Sequence, residues 1–139
     1  MDQLYQDRIL ALAKAVRQAP ELDDATHYAT VSNPTCGDRV DIRLRVEDNE
    51  ITGVSAAIRG CALCEAGAGL LIEQAPGLDI ESFTSFGDDF GTWLAGDNTI
   101  DLPEPATAFA PVRAIRNRHK CVTLAFEAGK TALSDSKTG

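Results

Sequence analysis

Cys36, Cys61, Cys64 and Cys121 are the side chains of this sequence best suited to chemistry, and their spacing is C-x24-C-x2-C-x56-C. A zinc ribbon would carry two close C-x2-C pairs, whereas here one pair stands with two single cysteines. Asp38 lies two residues after Cys36 and offers a hard oxygen donor. Thiolates with one carboxylate suit tetrahedral Zn²⁺. Three thiolates equally suit an iron–sulfur cluster. Cys64 falls one helical turn after Cys61 and has three readings: a substitute thiolate ligand, a redox partner, or a small core residue. Asp38 also has a plainer reading, since aspartate readily caps turns through its own backbone. His27 reads as a surface residue. His119, two residues before Cys121, reads either as a solvated loop residue or as a neighbour of the site.

These residues need elements that bring them together. Residues 2–19 carry Tyr5, Ile9, Leu12 and Val16 at helical spacing, and Pro20 ends that helix. Residues 21–35 are polar and read as irregular. From 39 to 46 the pattern alternates, with Val40, Ile42, Leu44 and Val46 on one face and Arg39, Asp41, Arg43 and Arg45 on the other. Residues 51–59 form a second strand with Thr52, Val54, Ala56 and Ile58 on one face, and the polar link between the two makes an antiparallel hairpin. The entrance of the first strand and the exit of the second then lie side by side, which brings Cys36, Asp38 and Cys61 to one end of the sheet. A helix rich in small residues follows Cys61 and ends near Pro76-Gly77. Short helices are expected over 85–94 and 106–116, the latter interrupted by Pro111. A last helix opens near Cys121. Cys61 and Cys121 thus sit near helix N-termini, where the partial positive charge favours thiolate over thiol. The expected architecture is one α+β domain over 1–133, a small antiparallel sheet of about three strands with helices packed on it, and a disordered tail over 134–139.

Composition narrows the function. The formal net charge is −8, from 13 Lys and Arg against 21 Asp and Glu, so a nucleic-acid partner is not expected. One local exception is Arg113, Arg116, Arg118 and Lys120, a cationic cluster that reads as a solvated face, as support for a Cys121 thiolate, or as a dock for an acidic partner. No run approaches the roughly 18 apolar residues needed to cross a bilayer. The first residues lack a basic region feeding an apolar stretch, so no secretory signal is expected. A cytoplasmic setting follows as the expectation, and reduced thiols there are more often ligands or reactive groups than disulfide partners. A thiol oxidoreductase built on Cys61 and Cys64 is disfavoured, because no βαβ context precedes the pair.

Asn33-Pro34-Thr35-Cys36-Gly37-Asp38 before an alternating strand resembles the first ligand motif of the U-type iron–sulfur cluster assembly proteins, namely IscU, SufU and the NifU N-terminal domain. Gly60-Cys61 opening a small-residue helix resembles the second motif, and Arg118-His119-Lys120-Cys121 with Val122-Thr123-Leu124-Ala125 the third. The resemblance spans about residues 3–130 and implies a SufE/NifU-like, IscU-like fold. It departs at Ala11-Leu12, where the family usually has an Asp-His pair, and at Lys120, where IscU-type members carry histidine. The second departure, with the long stretch between Cys61 and Cys121, is similar to the SufU branch. That branch implies zinc held by Cys36, Asp38, Cys61 and Cys121, with Cys64 as a rival to Asp38. It also implies persulfide sulfur taken from a SufS-like cysteine desulfurase, with Cys121 the expected acceptor. The resemblance leaves two alternatives: a scaffold that builds a [2Fe–2S] cluster and delivers it to apo iron–sulfur proteins or other SUF components, and a non-catalytic structural zinc domain.

Overall fold

The computed structural model describes residues 3–35 and 37–135. Their element order is α1 (Gln3–Gln18), β1 (His27–Asn33), β2 (Asp38–Glu47), β3 (Glu50–Arg59), α2 (Ala62–Gln74) and α3 (Ile80–Leu94). Two 3₁₀ segments, Glu104–Ala114 and Arg116–Arg118, then lead into α4 (His119–Asp135). The three strands form an antiparallel sheet in the order β1-β2-β3.

The expected alternation in β2 is met: Val40, Ile42 and Leu44 are fully buried, while Arg39 and Arg43 are exposed. The β2–β3 turn is a two-residue loop with Asp48 and Asn49 both at positive φ (51° and 67°). This is the mirror-image turn whose twist matches that of the strands, and Asp and Asn tolerate it. One sequence expectation fails just beyond it. A bulge between Arg45 and Val46 puts one extra residue into β3. Ile51 therefore enters the core, while Thr52 turns to the other face, where its hydroxyl accepts from Arg45 Nε at 3.0 Å. An extra residue inverts a period of two.

A second correction is β1. Residues 21–35 read as irregular, yet residues 27–33 pair along β2 from His27↔Leu44 to Asn33↔Asp38. His27 thus opens a strand and is half-buried. The segment before it is pinned over the polar face of the sheet by Arg43–Glu21 and Arg45–Asp24 ion pairs.

α4 lies over β1 and β2, and α2 lies over β3. α1 packs on α2, α3 packs on α4, and the longer 3₁₀ segment touches both α1 and α3. α2 is buried nearly all round, from Cys64 through Leu71, which a helix between two others and a sheet requires. Its glycines permit that closeness: a Cβ on Gly67 would collide with the Val122 carbonyl of α4, and one on Gly69 with the Leu12 carbonyl of α1. α3 is longer than expected because Asp79 caps it, its carboxylate accepting from Ser82 N at 2.7 Å. That bond holds the Asp79 carboxyl below its ordinary pKa. The segment around Pro111 is 3₁₀ rather than α-helical. α4 reaches Asp135, so residues 134 and 135 of the expected tail are helical, and residues 136–139 lie outside the described residues. No helix among the described residues is long and apolar enough to cross a membrane.

Candidate metal and thiol centre

Three elements converge at one end of the sheet. Asp38 is the first residue of β2. Cys61 stands two residues after the end of β3 and is the N-cap of α2. Cys121 is in the first turn of α4. The hairpin pairing brings the first two to the same end of the sheet, since Arg39, next to Asp38, and Arg59, two residues before Cys61, are register partners. One carboxylate oxygen of Asp38 and the Sγ atoms of Cys61 and Cys121 all lie within 4.8 Å of one another. Asp38 and Cys121 are buried at 5% and 1% exposure, whereas Cys61 is half-buried.

Local chemistry explains the arrangement. Cys61 caps α2 with extended backbone (φ −77°, ψ 171°) and no side-chain capping hydrogen bond, so its sulfur is not consumed by the helix end. Arg118 Nη1 lies 3.9 Å from that sulfur. Gly60 makes room for the carboxylate, because a Cβ there would stand 2.6 Å from Asp38 Oδ1. The β1–β2 loop is closed by Gly37 N donating to Asn33 O at 2.8 Å and by Thr35 N donating to Asn33 Oδ1 at 3.1 Å. Gly37 takes φ 77° in that loop. Cys36 itself lies outside the described residues.

The other candidates separate from this group. Cys64 is fully buried in the hydrophobic core, and among the described residues the converging donors are Asp38, Cys61 and Cys121. No disulfide joins Cys61, Cys64 and Cys121. His119 is half-buried, and its Nε2 donates to the carbonyls of Val112 and Arg113 at 2.9 and 3.1 Å. That bond anchors α4 to the preceding 3₁₀ segment and takes the ring nitrogen away from the thiols. Lys120 is exposed. The cation cluster also divides: Arg113 stacks over Trp93 and donates to Trp93 O and Asn98 Oδ1, leaving Arg116, Arg118 and Lys120 near the site. The roles of Gly60 and of Arg118 toward Cys61 are not readable from sequence, since a required absence of Cβ and a long-range thiol contact leave no periodic signal.

A donor set of two thiols and one carboxylate, drawn from three elements and largely shielded from water, has the composition of a site for a borderline-soft cation or an iron–sulfur cluster. Residues 4–89 match the family model described as NifU-like N terminal domain. The chain is 28% identical, over its full length and 95% of the relative, to the zinc-dependent sulfurtransferase SufU of Bacillus subtilis. It is also 28% identical to the iron–sulfur cluster assembly scaffold protein IscU of Thermotoga maritima, over 94% of the chain and 92% of the relative. The crystal structure of a NifU-like N-terminal protein from Brucella abortus superposes with a TM-score of 0.82, at 24% identity and over 96% of this chain and 94% of that one, and so shares the fold. The chain belongs to the NifU-like N-terminal domain family, the U-type iron–sulfur cluster assembly proteins.

Proposed function

We propose that this protein is a SufU-type member that holds zinc with Cys36, Asp38, Cys61 and Cys121 and accepts persulfide sulfur from a PLP-dependent, SufS-like cysteine desulfurase. The observation that carries the reading is the donor group of Asp38, Cys61 and Cys121 within 4.8 Å. Two features add to it. Position 120 is an exposed lysine, His119 Nε2 is engaged by backbone carbonyls, and among the described residues the donor group holds sulfur and carboxylate without imidazole. A bound Zn²⁺ would keep the thiols deprotonated yet quiet until one is released.

The proposed acceptor is Cys121. Its thiolate attacks the outer sulfur of the desulfurase persulfide, the new Sγ–S bond forms as the donor's S–S bond breaks, and the electron pair leaves on the donor's cysteine thiolate. No net oxidation occurs. At 1% exposure, Cys121 becomes reachable only when the group around it opens, while Cys61 stands nearer the surface.

The test is metal content of untagged protein together with sulfur transfer from a purified desulfurase, with Cys36→Ser, Cys61→Ser and Cys121→Ser compared and the persulfide located by mass spectrometry. Stoichiometric zinc and transfer lost in Cys121→Ser support the reading. Full transfer by Cys121→Ser moves the acceptor to Cys36 or Cys61. Anaerobic reconstitution to a stable visible chromophore that passes to an apo-protein, with no sulfur accepted, replaces the reading with a [2Fe–2S] scaffold.

A further inference from the structure

The chain is acidic, yet several cations close to Cys61 and Cys121 in the chain have no carboxylate in ion-pair contact among the described residues, although Arg39, beside Asp38, lies on Asp41 at 3.6 Å. Away from the site, Arg17, Arg43, Arg45 and Lys130 each sit on a carboxylate, at 3.8, 3.3, 3.0 and 2.8 Å. Arg8 is held by Glu104 O and Thr107. Around the site, Arg59, Arg116 and Lys120 are exposed, and among the described residues none is in ion-pair contact with a carboxylate. Arg118 is likewise exposed and contacts Cys61 instead.

Their placement makes a collar. Arg59 ends β3, one residue before Gly60-Cys61, and pairs across the sheet with Arg39, the neighbour of Asp38. Arg116 and Arg118 form the short 3₁₀ segment that feeds α4, and Lys120 precedes Cys121. Arg59, Arg116, Arg118 and Lys120, four of the chain's 13 Lys and Arg, thus flank Cys61 and Cys121 along the chain, while Arg39 lies on Asp41. Ile115, at 40% exposure, adds an apolar side chain on the same rim.

We infer that this collar is the docking surface for an acidic protein face on the sulfur donor, and that it sets the rate and the orientation of that encounter. The inference rests on the sulfur-acceptor reading above. Unneutralised, exposed cations keep their field for an incoming partner, and such fields act chiefly on association rate and register. The cations are spread over three segments and stay in water, which suits a broad protein face better than a small anion, which would need converging, buried donors. The acidic remainder of the surface repels a donor that approaches elsewhere.

The test is binding of the organism's own purified cysteine desulfurase to the zinc-loaded, full-length protein, measured as association rate and affinity from low to high salt. The variants are Arg59→Glu, Arg116→Glu and Lys120→Glu, combined, against Lys130→Glu, which lies nine residues beyond Cys121 on the same helix, about 13 Å away. Zinc content and circular dichroism establish that each is intact. The expected result is association slowed about tenfold or more by the triple change, a flattened salt dependence, and Lys130→Glu near wild type. Association unchanged in the triple variant overturns the inference, as does a desulfurase that fails to bind the wild type at any salt. Collar-dependent binding without any sulfur transfer leaves the collar standing and removes the sulfur-acceptor function instead.

Discussion

Gly60 shows how narrowly the site is built at the level of single residues. Its missing Cβ is the space that the Asp38 carboxylate fills. Gly60→Ala should therefore turn the Asp38 side chain away from the two sulfurs while leaving the sheet in place, because the clash falls on a side chain rather than on backbone. Zinc affinity is expected to drop about 10–100-fold, to near that of Asp38→Ala, with thermal stability little changed. Competition against a chelating dye measures the first and a melting curve the second. Full affinity in Gly60→Ala would mean that Asp38 is not a ligand. Asp38 and Cys61 were legible in the sequence because a hairpin must return its second strand beside the first, whereas Cys121 was reached through its place at the start of the last helix and the resemblance of its motif. The exclusion of Cys64 from the converging donors was not legible. One helical turn after Cys61 is compatible with facing either the site or the core, and only the burial of α2 on all sides decides it.

At the scale of elements, the strands and helices with strong periodicity were readable and the others were not. β1 alternates only weakly, with Ala29 and Val31 as its inward apolar residues, and an edge strand buried on one side leaves little pattern. The α2 glycines read as a weakness in helix propensity, whereas the structure uses them for contact between backbones. Gly67→Ala and Gly69→Ala therefore make a matched pair. Each sets a methyl against a carbonyl of the neighbouring helix, which cannot swing aside, and each should cost about 1–3 kcal/mol by denaturant unfolding. They should differ at the site. Gly67 faces Val122, the residue after Cys121, so its substitution moves one sulfur relative to the other and weakens zinc binding. Gly69 faces Leu12 of α1, and its substitution should leave zinc affinity close to wild type. Equal losses of affinity in both would show that the site follows global stability rather than the α2–α4 spacing.

For the whole molecule, the question is whether the metal holds the fold or the fold holds the metal. The core answers through its location. Phe83 and Phe90 of α3, Phe109 of the 3₁₀ segment and Phe126 of α4 are buried together, with Phe83–Phe126 and Phe90–Phe109 ring centroids 6.0 and 5.5 Å apart. Gly129 admits Phe83 where a Cβ would lie 2.6 Å from its ring. This cluster, with Val40, Ile42 and Leu44 beneath α4, needs no ligand to close. A domain of 139 residues has the size to bury such a core unaided. Chelation should accordingly leave far-UV circular dichroism and a single cooperative transition, unlike a zinc finger, which unfolds without its ion. What the metal adds is linkage: at 100 times its dissociation constant it contributes about 2.7 kcal/mol, on the order of 10 °C in Tm for a domain of this size. Melting the stripped protein across a zinc titration measures that shift. Loss of secondary structure on chelation would return the molecule to a structural zinc domain, because the ligands would then be holding the elements together rather than being held by them.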